Sequence, residues 1–315
     1  MPEDKSINTL QCLQQAINRR TEPVSGKWED VFVVAGPTAS GKSSMAVALA
    51  ERWDAEIVSA DAYQIYRGLA VLTAQPTAAE KSRVRHHLVD VLEPGVEFSA
   101  ADFARLALKA IDEIRQRNKR IVVVGGAGFY LEALFDGLPE TPPPNEEIRQ
   151  RLSALTLPEM VAELTLLDPA AALIVDLNNP RRVQRAIEIV ASTGQPFASF
   201  ARVPGDSVPG LVMDLPREIL LQRIEERTAA MLENGAFAEV RQLGVRSATC
   251  QKTIGLAEIT EFLAGKISLS ECHERIVIAT RQYAKRQMTW FRNRARWQLV
   301  APEFALQKAD ERISD

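Results

Sequence analysis

A chain of 315 residues, 46% hydrophobic and 25% charged, has the make-up of an ordinary globular protein, long enough for one large α/β domain or a core with an insert. No apolar run approaches the ~18–20 residues of a membrane span, and the polar, acidic start MPEDKSINTL is unlike a secretory signal. Three scattered cysteines, Cys12, Cys250 and Cys272, argue against a structural zinc site and for a reducing, cytoplasmic setting.

Residues 1–28 are polar with weak periodicity and read as a flexible leader or a loosely docked helix. Val31-Phe32-Val33-Val34-Ala35 is a buried strand, 43–53 the helix after it, and 56–59 a short second strand ending at Asp61. Apolar spacing at Phe103, Leu106, Ala110, Ile111 and Ile114 predicts a helix over 100–117, with Ser99 and Asp102 as a capping-box start. Residues 121–124 form another buried strand, closed by Gly125 and Gly126. Continuous apolar strands alternating with helices imply a parallel sheet covered on both faces. PETPPPN then breaks the pattern. Helices are expected at 146–155, 158–166 and 180–192, before PGDSVPG returns the chain to a strand at 211–213. Helices at about 216–234, 236–243, 253–264 and 268–295 follow. The organisation expected is a core of 29–140 and 210–300, a helical insert of 141–209, and a tail of 301–315.

The net charge of −3 hides an uneven distribution. Between Arg275 and Arg296 there is no acid, while Arg281, Lys285, Arg286, Arg292 and Arg294 alternate with Tyr283, Trp290 and Phe291. Such a helix is either a surface for a nucleic-acid backbone or a solvated face.

Between the first strand and its helix lies GPTASGKS, which fits G-x-x-x-x-G-K-[ST] in the structural setting that gives the motif meaning. Gly36, Pro37, Thr38, Ala39, Ser40, Gly41, Lys42 and Ser43 are therefore expected to cradle a di- or triphosphate, with Ser43 offering its hydroxyl to Mg²⁺. The fold expected is P-loop NTPase-like: a parallel sheet flanked by helices. The loop alone leaves kinase, ATPase, GTPase and transferase chemistry open. Asp61, at the carboxyl edge of the sheet, is a Mg²⁺ ligand, a general base or a turn residue. His86 and His87, adjacent on one strand, point to opposite faces and are not expected to share a metal.

GPTASGKS, SADAYQIYRGLAVLTAQPT (59–77), RHHLVD (85–90), FSAADF (98–103), VGGAGFY (124–130), NNPRRVQRAIEI (178–189), RIEERTAAMLENGAFAEVRQL (223–243) and TRQYAKRQMTWFRN (280–293) follow in order and spacing those of the tRNA dimethylallyltransferases. The chain resembles that family over roughly 30–300. The resemblance implies transfer of a dimethylallyl group from dimethylallyl diphosphate to N6 of adenosine 37 in tRNAs reading codons that begin with U, with release of diphosphate. It makes Asp61 the base, with Lys42 and Arg227 as stabilisers of the leaving group and Mg²⁺ as the cofactor. It implies contacts to the tRNA anticodon stem-loop from Asp61, Ala62, Tyr63, Gln64, Ala127, Arg181, Arg182, Arg185, Gly255, Lys285, Arg286 and Arg292, by a cytoplasmic monomer. The family's pattern breaks where Ala62 stands for serine, Ala127 for threonine, Leu72 for glycine and Gln75 for lysine. It breaks again at Gly255-Leu256-Ala257-Glu258, which stands for a GYKE-like motif. A divergent member that keeps the diphosphate grip is implied. The other readings are a nucleotide or small-molecule kinase, and a tRNA-binding paralogue with impaired catalysis.

Overall fold

Strand β1 (Val31–Ala35) is buried at every residue, as its unbroken apolar run requires. The computed structural model describes residues 27–201 and 205–314. The expected leader lies mostly outside the described residues, as does Cys12. Its last residue does not belong to it: Trp28 is buried and packs edge-on against Phe135, with ring centroids 5.0 Å apart.

Helix α1 (Lys42–Trp53) follows β1, then β2 (Ala55–Ser59), α2 (Ala78–Arg83) and the two-residue β3 (His86–His87). Next come α3 (Ala100–Arg115), β4 (Arg120–Gly125) and α4 (Gly128–Phe135). The Ser99–Asp102 capping box of α3 is formed in both directions. The insert carries α5 (Glu146–Ser153), α6 (Leu157–Leu167), a single turn α7 (Ala171–Ile174) and α8 (Pro180–Thr193). The chain re-enters the sheet at β5 (Gly210–Met213) and continues through α9 (Arg217–Glu233), α10 (Ala236–Gln242), α11 (Leu256–Leu263), the long α12 (Leu269–Arg294), β6 (Gln298–Val300) and α13 (Ala305–Ser314).

The six strands lie in the order β3-β2-β4-β1-β5-β6, and every pairing is parallel. With all strands pointing one way, the loops after β2, β4 and β1 emerge on one rim from three adjacent strands. On one face, Phe32, Val34, Val122 and Leu211 pack against Met45, Ala46, Leu49 and Ala50 of α1. Ala305 and Ala309 of α13 complete that core and are fully buried. Residues 301–314 therefore pack on the sheet rather than forming the expected tail. Their small alanine face closes against the sheet without the large apolar side chains that periodicity detects.

By compactness the chain divides into a unit of Gly26–Phe135 with Asp206–Asp315, and a second unit over Asp136–Gly205. The second has its own core of Leu152, Met160, Leu164, Val183, Ala186 and Ile187. Beside that core the carboxylate of Glu188 is wholly buried, yet it accepts from Asn145 N at 2.6 Å and from Arg149 Nε at 2.9 Å, and pairs with Arg185. Burial pushes this carboxyl up, but Arg185, the Asn145 N–H and Arg149 outweigh it and hold the group below its usual range. Because its folded pKa is depressed, its stabilisation is complete above the unfolded value of 4.5 and fades as the pH falls through the folded one. Glu188→Ala strands two arginines and should destabilise this unit by about 3 kcal/mol, read as earlier unfolding in a urea titration followed by limited proteolysis. An unchanged midpoint would refute this role.

At the start of β2, Glu56 accepts from Arg117 and from His87 Nε2, at 2.6–2.8 Å, which holds its carboxyl down at about 2. His87 is thus a hydrogen-bond partner of Glu56. Among the described residues no helix is long and apolar enough to cross a membrane.

Candidate active site

The loop from Gly36 to Gly41 leaves β1 and turns straight into α1. Gly41 reaches φ +88°, and Ala39 holds φ +62° without being glycine, a strained conformation of the kind that collects at ligand sites. Helix α1 has no acidic residue in its first turn, so its N-terminal dipole stays available to an external anion. Lys42 Nζ donates to Pro37 O at 3.1 Å across the mouth of the loop. Desolvation pushes this ammonium down to about 8, against the pull of Asp61, and Arg227 adds to the depression.

Arg227, on α9, donates through Nη1 to Thr38 Oγ1 at 2.6 Å. Desolvation lowers its pKa as well, while Asp61 raises it. Arg223, one turn earlier on the same face, brings Nη1 to 3.4 Å from the point a Cβ on Gly41 would occupy. The loop is braced from behind: Thr38 N donates to Gln287 Oε1 at 2.9 Å, and Gln287 Nε2 donates to Gly126 O at 3.0 Å.

Asp61 follows β2 on the neighbouring rim. Its Oδ1 accepts from Tyr63 N at 2.9 Å and Gln64 N at 3.3 Å, which fixes the side chain in a turn and leaves Oδ2 without a hydrogen-bond partner among the described residues. Two cavities meet here. A polar one of about 120 Å³ is lined by Thr38, Ala39, Gly41, Lys42, Ser43, Asp61 and Arg227, among others. A second, of about 60 Å³, shares Thr38, Asp61, Thr73 and Arg227 with it and runs on to Leu72, Met231, Ile254, Ile276, Tyr63 and Tyr283. The structure thus brings together Lys42, Ser43, Asp61 and Arg227, which sequence reasoning picked from three separate motifs.

Other expected residues are placed differently. Gln64 is spent inside the protein: its Oε1 accepts from Ser59 Oγ at 3.0 Å and its Nε2 donates to Ala74 O at 2.9 Å. It shapes the 72–75 segment, so its amide is already engaged where base reading was expected. Gly255 is buried beneath Leu72, whose Cδ1 lies 2.8 Å from the position of a Cβ, so it shapes a wall there. The glycines after β4 serve internal packing: a Cβ would strike Ala60 O from Gly125, Gln287 from Gly126 and Trp290 from Gly128. Ala62 and Ala127 are half-buried on the two rim loops. Ser40 is buried with an unpartnered hydroxyl, inside the loop.

Among the basic residues, Arg185 is a brace of the insert, donating to Thr141 Oγ1 at 2.8 Å and Pro142 O at 2.6 Å as well as to Glu188. Arg181 and Arg182 are exposed on the first turn of α8, and Lys285 is exposed on α12; none has a side-chain partner among the described residues. Arg286 stacks over Tyr283 at 5.8 Å, and Arg292 makes an exposed pair with Asp214 at 3.3 Å. Sequence reasoning missed Gln287, Arg223 and Glu239, whose carboxylate accepts from Val71 N at 2.7 Å and Leu72 N at 2.9 Å. Only Arg223 left a signal, its i,i+4 spacing from Arg227.

For Mg²⁺, the donor set is small: among the described residues no group of three or more His, Cys, Asp or Glu side chains converges on one point. Ser43 and Asp61 nevertheless line the same cradle, which fits an ion that arrives with phosphate oxygens and needs only one or two protein ligands.

A P-loop motif on the rim of a parallel α/β sheet, faced by a carboxylate and by a second, partly apolar cavity, marks a P-loop protein of the α/β class. The chain belongs to the IPP transferase family, whose model matches residues 64–294. It is 42% identical over 266 residues to the tRNA dimethylallyltransferase of Akkermansia muciniphila, covering 84% of this chain and 90% of that one. The structure of a tRNA isopentenylpyrophosphate transferase from Bacillus halodurans superposes with a TM-score of 0.64 at 33% identity, covering 91% of this chain and 98% of that one. A eukaryotic dimethylallyltransferase captured acting on tRNA gives 0.74 at 27% identity, over 90% of this chain and 77% of that one.

Proposed function

We propose that this transferase moves the dimethylallyl group of dimethylallyl diphosphate to N6 of adenosine 37 in tRNAs reading codons that begin with U. The observation that carries the reading is the junction of the two cavities at Asp61 and Arg227. One side suits a diphosphate and the other a small apolar group, and the relatives named above supply the chemistry. The diphosphate lies in the loop from Gly36 to Ser43, against Lys42 and the N-terminus of α1. As the allylic C1–O bond breaks, negative charge grows on the leaving diphosphate, and Lys42, Arg227 and the loop N–H groups stabilise it. The new N6–C1 bond forms as the free Oδ2 of Asp61 takes the N6 proton, so that pyrophosphate leaves and the base ends neutral.

Ser43 would hold Mg²⁺, which when bound would add positive charge beside the leaving group. An adenine stacked in an anticodon loop cannot reach this junction, so the base is flipped in. Arg181 and Arg182 on the insert and Lys285, Arg286 and Arg292 on α12 are the cations offered to the anticodon stem-loop. The enzyme works in the cytoplasm as a monomer. The relatives named above do not favour a kinase.

The test is mass spectrometry of unmodified tRNA incubated with the protein, Mg²⁺ and dimethylallyl diphosphate. The expected result is a gain of one dimethylallyl group on the fragment containing adenosine 37. Intact tRNA binding with no such gain would overturn the reading.

A further inference from the structure

We infer that Gln287 is a positioning residue for the leaving-group arginine: acting through Thr38, its amide fixes where the Arg227 guanidinium stands when the allylic bond breaks. The inference rests on the function proposed above. Gln287 lies on the inward face of α12, 6% exposed, and both ends of its amide are engaged. Its Oε1 accepts from Thr38 N at 2.9 Å, and its Nε2 donates to Gly126 O at 3.0 Å. Turning the amide over would set NH₂ against N–H and oxygen against oxygen, so only one orientation is allowed.

Thr38 passes that placement on. Its Oγ1 receives Arg227 Nη1 at 2.6 Å, the one hydrogen bond of that guanidinium among the described residues. Three links, Gly126 to Gln287, Gln287 to Thr38 and Thr38 to Arg227, run from the loop after β4 across the phosphate loop to α9. Thr38 lines both cavities at their junction, so a shift of this residue moves Arg227 relative to the diphosphate.

The chain of bonds has little slack. A Cβ on Gly126 would stand 2.1 Å from Gln287 Nε2 and 2.8 Å from Gly36 O, so the backbone there is pressed between the amide and the start of the phosphate loop. Arginine has many rotamers, and its bond to a residue that is itself held selects among them. Without Gln287, Thr38 N and Gly126 O lose their partners, and Thr38 loses its anchor on α12. A displacement of about 1 Å near the reacting centre is enough to cost ~100-fold in rate.

The experiment is a double-mutant cycle on Gln287→Leu and Arg227→Ala, read both by single-turnover prenylation of tRNA and by calorimetric binding of inorganic pyrophosphate. Gln287→Leu should slow transfer by about 100-fold. Because it acts through Arg227, adding it to Arg227→Ala should cost less than about threefold more. Arg227→Ala should likewise weaken pyrophosphate binding by about tenfold in the wild-type background, and hardly at all beside Gln287→Leu. A merely structural Gln287 would lower rate and affinity by the same factor in both backgrounds. The pyrophosphate cycle is readable even where no RNA is prenylated, so failure of the function and failure of this inference are distinguishable. If Gln287→Leu does not fold, Gln287→Met, which keeps the length of the side chain, takes its place with the same expectation. Losses that multiply in either cycle, or a folded variant that transfers at the wild-type rate, overturn the inference.

Discussion

Asp61→Asn should slow prenyl transfer by about 10²–10⁴-fold, the range over which a positioned general base contributes, while pyrophosphate still binds. The substitution isolates the proton-accepting role because the asparagine oxygen can still take the bonds from Tyr63 N and Gln64 N that fix the side chain. The turn after β2 is preserved, and only the negative charge and its proton affinity are lost. Removing that charge next to Lys42 and Arg227 leaves the cradle more positive, so pyrophosphate should bind as well as before or better. Single-turnover prenylation and pyrophosphate inhibition, measured side by side, separate the two effects. Loss of both in parallel would make Asp61 a structural residue of the cradle.

Arg227→Ala should lower the single-turnover rate by about 10²–10³-fold, with a smaller loss of tRNA affinity. Its guanidinium is desolvated and already oriented by Thr38 Oγ1, so it meets the growing leaving-group charge without rearranging. Arg227→Lys should recover only part of the rate, since an ammonium cannot hold Thr38 and a phosphate oxygen in one plane. Arg223 gives the control on the same helix face. It lies by Gly41 and is exposed, so Arg223→Ala should weaken donor binding more than it slows the chemical step. Equal loss from both substitutions would remove the distinction between leaving-group stabilisation and general attraction.

The parts of this site legible in the sequence share one property: each is announced by its immediate neighbours. GPTASGKS sits between an apolar strand and a helix, and Asp61 directly follows a strand. The blind spots are residues whose role depends on something distant in the chain. Gln287 is one neutral amide in a run of cations, and only the fold brings it to Thr38, 249 positions away. Gly125, Gly126 and Gly128 invite a ligand reading because glycine permits close approach, but the approaching groups are Ala60, Gln287 and Trp290. Arg185 is indistinguishable in sequence from Arg181 and Arg182, yet buried Glu188 claims it. Helix α13 escaped for a related reason, since alanines matter only once a sheet comes close enough to need small partners.

The bracing of the phosphate loop by Gln287 has a consequence for biosynthesis. Strand β1 lies between β4 and β5, so both its edges stay open until residues 121–125 and 210–212 have been synthesised. The clamp on Thr38 waits longer still, for α12 to emerge near the carboxyl end. The loop is thus braced only after a residue 249 positions later has been made. A nascent chain therefore holds no braced phosphate loop before α12 is present.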